Sequence, residues 1–282
     1  MLLREVQYVR PESLAEAVRL LGEYEDARAL AGGQSLTNAM KQRVGSPEVV
    51  VDLAHLTELR RIERGADGSL ELGAMVTYAQ LVLSPEVAAT HPVVGEVAAQ
   101  IADVQVRNRG TLGGNVCWND PTNHYPPLLA ALEAQFTVAG SDGERTVGAE
   151  EFFVGVFMTA VGQGELLTKV TIPAAGAVGT GFASITVGRD GTCIVNAAAC
   201  VNGGGAPRVA LGCVAGTPVR ATAMEQALAG GNLAEEDVRA AARGLGETLD
   251  PPSDVHASAD YRRHLAEILA ARAVLQAAER AR

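Results

Sequence analysis

The chain has 282 residues, 48% hydrophobic and 20% charged, with 23 Lys and Arg against 33 Asp and Glu for a formal net charge of −10. That length fits about two domains with their own cores, and the composition excludes a disordered chain. No apolar run approaches the ~18 residues of a membrane span, the first residues lack a signal-peptide pattern, and the acidic balance argues against nucleic acid. A cytoplasmic protein is expected.

Ser13-Leu14-Ala15-Glu16 is a capping box, and the apolar spacing of Leu14, Ala17, Val18 and Leu21 predicts a helix of about three turns behind it. A short strand is expected over 28–31, then Gly32-Gly33-Gln34-Ser35, a helix over 36–42 and a buried strand over 49–53. Asp67-Gly68, between apolar segments 59–63 and 70–72, predicts a hairpin. Helices follow over 77–83 and 92–102. Residues 104–127 show no clean period, are rich in Gly, Asn and Pro, and read as a functional loop. Strands return at 134–139 and 166–172.

The composition shifts at Pro173-Ala174-Ala175-Gly176-Ala177, which reads as a domain boundary. Beyond it, 181–187, 193–201 and 208–214 predict three antiparallel strands, turning at Asp190-Gly191 and Gly203-Gly204-Gly205. Helices over 221–228, 233–245 and 260–280 complete a small α+β unit. On the last, Leu265, Ile268, Leu269, Ala273 and Leu275 form a stripe that reads as core packing. Cys117, Cys193, Cys200 and Cys213 contain no Cys-x-x-Cys pair and have no His at zinc-site spacing. They read as buried small hydrophobes, except Cys117, which sits inside a Gly-rich segment, and no metal or iron–sulfur cluster is expected.

Two glycine segments carry the chemistry. Strand, then Gly32-Gly33-Gln34-Ser35, then helix fits an anion site, with free amides at the helix start and a hydroxyl on Ser35. The same residues also read as a glycine-rich turn with Ser35 as helix cap. The segment is neither Gly-x-Gly-x-x-Gly nor a Walker loop. The second segment, Arg107-Asn108-Arg109-Gly110-Thr111-Leu112-Gly113-Gly114-Asn115, repeats the adjacent glycines and adds donors on Thr111 and Asn115. Two such loops in one domain fit a single extended ligand.

Together these segments resemble the FAD-binding (medium) subunit of the molybdenum hydroxylases, the family of carbon monoxide dehydrogenase and xanthine dehydrogenase. The likeness rests on Ala31-Gly32-Gly33-Gln34-Ser35-Leu36 and on Arg107 to Asn115. Further matching pieces are Val51-Asp52-Leu53, Leu72-Gly73-Ala74 with Thr77, the run Pro126 to Leu132, Glu151-Phe152-Phe153, Glu165-Leu166-Leu167, Ile172-Pro173 and Tyr261-Arg262. The resemblance implies an α+β vanillyl-alcohol-oxidase/PCMH-type FAD fold in two subdomains, 1–55 and 56–175, and a small C-terminal α+β domain, 176–282. It implies that Ala31, Gly32, Gly33, Gln34, Ser35 and Leu36 wrap the FAD diphosphate and that Gly110, Thr111, Gly114 and Asn115 hold the cofactor. Cys117, Trp118, Asn123 and His124 would lie along the flavin, with Leu166 and Leu167 near its ring. The implied partners are a small subunit with [2Fe–2S] clusters and a large molybdopterin subunit. The flavin would relay electrons to an external acceptor, and no side chain of this chain needs to act as acid or base.

Two departures from the family stand out. Relatives usually carry Asp where this chain has His124, and the run from Cys117 to Pro127 holds the sole Trp. It reads either as a surface loop of variable side chains or as a modified flavin environment, with Trp118 stacking and His124 tuning the ring. Relatives also place a Lys near 181–185, where the nearest cation here is Arg189. A free-standing FAD-dependent oxidoreductase acting on a small molecule is the alternative reading.

Overall fold

The computed structural model describes residues 3–174, 178–188, 191–202 and 206–281. Residues 175–177 of the boundary expected at 173–177, the cation Arg189, Asp190 of one expected turn and Gly203 to Gly205 of the other lie outside the described residues.

The chain opens with β1 (Gln7–Val9), α1 (Leu14–Glu23), β2 (Ala27–Leu30), α2 (Leu36–Gln42) and β3 (Val49–Asp52). The three strands form a parallel sheet with β3 in the middle. Its residues are buried throughout, as a central parallel strand requires. Ser13 caps α1 by accepting from the Glu16 amide, while the Glu16 carboxylate takes the amide of Glu12 rather than that of the cap residue. Ala17, Val18, Leu20 and Leu21 face the sheet side and are buried.

A second unit follows: β4 (Ile62–Arg64), β5 (Leu70–Gly73), α3 (Tyr78–Leu83), α4 (Pro85–Thr90), α5 (Pro92–Gln100), α6 (Val104–Arg109), α7 (Leu112–Trp118), α8 (Tyr125–Ala131), β6 (Gln135–Gly140), β7 (Gly143–Gly148), α9 (Ala149–Phe152), β8 (Phe153–Gly155), β9 (Met158–Thr159) and β10 (Leu166–Ile172). An antiparallel sheet runs β4-β5-β10-β6-β7, and β8 with β9 makes a separate hairpin. The first arm of the expected hairpin is shorter than its apolar run, because residues 57–60 form a 3₁₀ turn that buries Leu59. The long functional loop expected over 104–127 is instead three short helices. Each has a local starter: Asp103 caps α6, Thr111 caps α7 and Pro126 lies in the first turn of α8. None reaches three turns, so no period of 3.6 can be read in the sequence.

The last unit comprises β11 (Val178–Val187), β12 (Thr192–Asn202), β13 (Arg208–Gly212), β14 (Val219–Arg220), α10 (Thr222–Ala227), α11 (Glu235–Ala242) and α12 (Ala259–Arg280). β14 adds a fourth strand to the three expected in this antiparallel sheet. α12 lies along β11 and β12. From the expected stripe Leu265, Leu269 and Ala273 are buried, while Ile268 and Leu275 sit at its margin. The cores are continuous across units: Phe182, Ala198, Cys200 and Ala210 of the last sheet join the apolar cluster of the second unit.

Candidate functional site

The loop after β2 and the junction of α6 with α7 meet in space. A Cβ on Gly32 would lie 2.1 Å from the carbonyl oxygen of Arg109 and 2.9 Å from the Cα of Gly110, so the two chains run backbone against backbone. One on Gly114 would come 3.8 Å from the Cβ of Ala31. Gly33 takes a φ of +74°, where only glycine is unstrained, and turns the chain into α2. Gly113 is seated on Ala74, donating its amide to the Ala74 carbonyl at 2.9 Å, and Ala74 in turn donates to Thr168 of β10 at 2.9 Å. The glycine pairs thus join the first parallel unit to the antiparallel sheet.

The cap reading of Ser35 is not what the structure holds. Its hydroxyl makes no cap bond and its side chain is exposed, while the Thr37 amide in the first turn of α2 donates back to the Gly33 carbonyl at 3.2 Å. Gln34 folds back, its Nε2 donating to the Gly32 carbonyl at 3.1 Å, and Leu36 is half-buried at the helix start. At α7 the Thr111 hydroxyl accepts from the Gly114 amide at 3.0 Å, so this residue shapes the helix start rather than leaving its oxygen free.

Asn115, one turn further, is buried. Its Nδ2 donates to the Tyr78 hydroxyl at 2.9 Å, while its Oδ1 has no partner among the described residues. Burial pushes the Tyr78 phenol up to about 12, partly opposed by that bond, so it is a neutral acceptor here. Tyr78 stacks on Tyr125 with centroids 6.0 Å apart. Burial likewise pushes the Cys117 thiol up to about 12, which leaves a protonated, unreactive sulfur. Half-buried Trp118 meets Phe157 edge-on at 5.8 Å.

Asn119 ends α7 with a φ of +45°, and its side-chain amide donates to the carbonyls of Gly155 (2.7 Å) and Met158 (3.0 Å). The β8–β9 hairpin therefore hangs from the end of the helix whose start carries the second glycine pair. An Asp120 turn follows, in which the carboxylate accepts from the Thr122 amide at 2.9 Å. Asn123 then reaches back, its Nδ2 donating to the Asn115 carbonyl at 3.0 Å. His124 is buried against the ring of Phe182 of β11 at 5.7 Å, and its Nε2 has no partner among the described residues. Desolvation lowers its pKa from 6.5 to about 4, so the imidazole is neutral.

The structure thus brings Ala31, Gly32, Gly33, Gln34, Ser35 and Leu36 against Gly110, Thr111, Gly114 and Asn115, and ties Asn123 to the same helix. Leu166 and Leu167 alternate across β10, Leu166 in the core under the first sheet and Leu167 in the central core, so they face opposite ways. Reading the sequence did not single out Tyr78, Asn119, Phe157, Phe182 or Asn196. They act through contacts between segments distant in sequence. The buried Asn115 Oδ1, one helical position past the second glycine pair, and the buried His124 Nε2 have no partner among the described residues, and a bound polar cofactor such as FAD would satisfy such atoms. Among the described residues no cluster of three metal-ligating side chains occurs, and no helix is long and apolar enough to cross a membrane.

Comparison with known proteins identifies the family. Residues 4–175 match the model of the FAD binding domain in molybdopterin dehydrogenase, and residues 188–277 match that of the CO dehydrogenase flavoprotein C-terminal domain. The chain is 38% identical to the carbon monoxide dehydrogenase medium chain of Hydrogenophaga pseudoflava over 95% of both chains. It is 34% identical to the nicotine 6-hydroxylase medium subunit of Paenarthrobacter nicotinovorans, over 99% of this chain and 100% of that one. The structure of the Hydrogenophaga carbon monoxide dehydrogenase superposes with a TM-score of 0.95 at 37% identity, covering 99% of each chain. That of quinoline 2-oxidoreductase from Pseudomonas putida 86 gives 0.93 at 36%, again covering 99% of each.

Proposed function

The chain belongs to the family of FAD-binding domains in molybdopterin dehydrogenases, and on that premise we propose that it takes electrons from [2Fe–2S] clusters of a small partner subunit and passes them through FAD to an external acceptor. It is a flavoprotein oxidoreductase of the medium-subunit type. A large molybdopterin subunit, which would hold the substrate, completes the proposed assembly, and we place it in the cytoplasm. The division into 1–55, 56–175 and 176–282 belongs to the same proposal.

The observation that carries the reading is the convergence of the two glycine loops on one face, with the Asn115 Oδ1 left open beside them. Bound FAD supplies the redox chemistry. The chain's part is to grip and orient. The backbone of Gly32 to Ser35 at the start of α2 would receive the diphosphate, Asn115 and Asn123 would fix the second loop, and neutral His124 and the Trp118 face would exclude water. Tyr125 is tied to the Val94 carbonyl and His124 packs on Phe182, so the unusual loop is committed to packing rather than to a substrate. Exposed Val154, Val156, Phe157 and Met158 on the β8–β9 hairpin form an apolar surface of the kind protein partners cover. Both points favour a subunit over the free-standing flavoenzyme.

Purification under native conditions tests this. The expected result is one FAD per chain together with two companion chains, molybdenum and iron. A monomer that turns over a small substrate by itself would establish the alternative, and a chain that never binds FAD would end both readings.

A further inference from the structure

The site just described draws on the C-terminal sheet as well as on the FAD-binding units. Asn196 lies in the middle of β12 and is completely buried (0% exposed). Its Nδ2 is 3.2 Å from the carbonyl oxygen of Asn123, 3.2 Å from the Cys193 sulfur and 3.7 Å from the Cys213 sulfur. Two N–H bonds serve these acceptors, and the carbonyl is the strongest of them. The Asn196 Oδ1 has no partner among the described residues. Gly212, its register partner on β13, makes the room: a Cβ there would come 2.4 Å from that oxygen and 2.9 Å from Cγ of Pro127 in α8.

A burial without a partner for Oδ1 costs stability, and the arrangement makes sense if the orientation of Nδ2 matters. Asn123 is gripped from both ends. Its side chain donates to the Asn115 carbonyl on α7, and its own carbonyl accepts from Asn196. The next residue, His124, rests on Phe182 of the same C-terminal sheet. A chain of three asparagines therefore runs from β12 through the loop to the helix that carries the second glycine pair. Its far end is the open Oδ1 of Asn115, and beside its middle lies the open Nε2 of His124.

We propose that Asn196 is a positioning residue for the flavin site, supplied by the C-terminal domain: by holding the Asn123 carbonyl it sets the pose in which Asn115 and His124 face the cofactor. This rests on the reading that residues 115–124 line the FAD.

The test titrates FAD into full-length apoprotein, following flavin fluorescence and the visible absorption of the bound ring, with urea unfolding of the apoprotein alongside. Asn196→Leu keeps the side-chain shape, removes the donor and also removes the unpaired oxygen. It is expected to bind FAD about tenfold more weakly, the loss of one such hydrogen bond, and with a shifted absorption band, while the apoprotein unfolds near the wild-type midpoint. A role confined to folding would move the midpoint and leave affinity and spectrum alone, and that result overturns the proposal. Gly212→Ala, which displaces the amide without deleting it, gives the same test should Asn196→Leu not fold. Its affinity and spectrum must change as well. Asn115→Ala separates the two levels: weakened binding there with wild-type binding in Asn196→Leu rejects the positioning role alone, whereas wild-type binding in both rejects the assignment of the loop.

Discussion

A missing methyl group decides how the proposed cofactor site is built. Gly32 touches the Arg109 carbonyl where a Cβ would stand 2.1 Å away, and the obstacle is backbone, which cannot swing aside. Gly32→Ala should force the loops apart at an overpacking cost of about 1–3 kcal/mol and lower FAD affinity about tenfold or more. Gly148→Ala, at an open position, should leave both unchanged; titration of the two apoproteins with FAD makes the comparison. His124 acts at the same scale through its charge. Its ordinary pKa is 6.5 and its folded value is about 4, so the folded state favours the neutral ring. Its contribution is therefore complete above pH 6.5 and is lost as the pH falls toward 4, amounting to about 3 kcal/mol at most. His124→Asn should flatten the decline of Tm over that range. Since His91 is also depressed by burial and is present in both proteins, the difference between the two curves isolates His124. The same variant should alter FAD affinity or potential, and no change in either would take His124 out of the flavin environment.

Among the elements, α12 and β11 show how a sequence pattern and a packing constraint divide the work. The apolar stripe of α12 could be read from spacing alone. What it packs on could not, because the strand side of the contact consists of glycines with no side chain to register. Gly179 and Gly181 lie under the carbonyls of Ala277 and Ala273, where a Cβ would come within 1.8 and 2.1 Å. Gly181→Val should lift the helix from the sheet, cost on the order of 3 kcal/mol, and lower the urea midpoint of the whole chain. The helices of residues 104–127 show the opposite case. The sequence reads as a loop there, and α6 and α7, with six and seven residues, are held by tertiary contacts rather than by propensity. Asn119 illustrates the gap: its role is to hold Gly155 and Met158, more than 30 residues away, and nothing adjacent to it in sequence announces that.

For the molecule as a whole, the C-terminal domain is clamped to the FAD-binding units by polar contacts as well as by the shared core. Arg208 donates to the Ala131 carbonyl at 2.9 Å and pairs with Glu133 at 2.7 Å, and Arg280 pairs with Glu96 at 2.9 Å. On the far side of α7 the β8–β9 hairpin offers its apolar residues outward. Val154→Asp with Met158→Asp should reduce recovery of companion chains in native purification and leave FAD content intact; full recovery would place the partner interface elsewhere.

The sequence by itself determined the local elements with complete signals: the Ser13 cap and its helix, the helix at 36–42, the strand at 166–172, the long final helix and the two glycine motifs with their order. Those depend on neighbours within a few residues, where backbone geometry and apolar period act directly. Only the tertiary structure decided that the two glycine pairs touch and that Ser35 leaves its helix uncapped. It alone showed Leu166 and Leu167 facing opposite cores, and an asparagine of the last domain reaching the loop of residues 119–124. Each of these depends on which atoms are left without a partner or without room once distant segments meet, and that is a property of packing which no local spacing encodes.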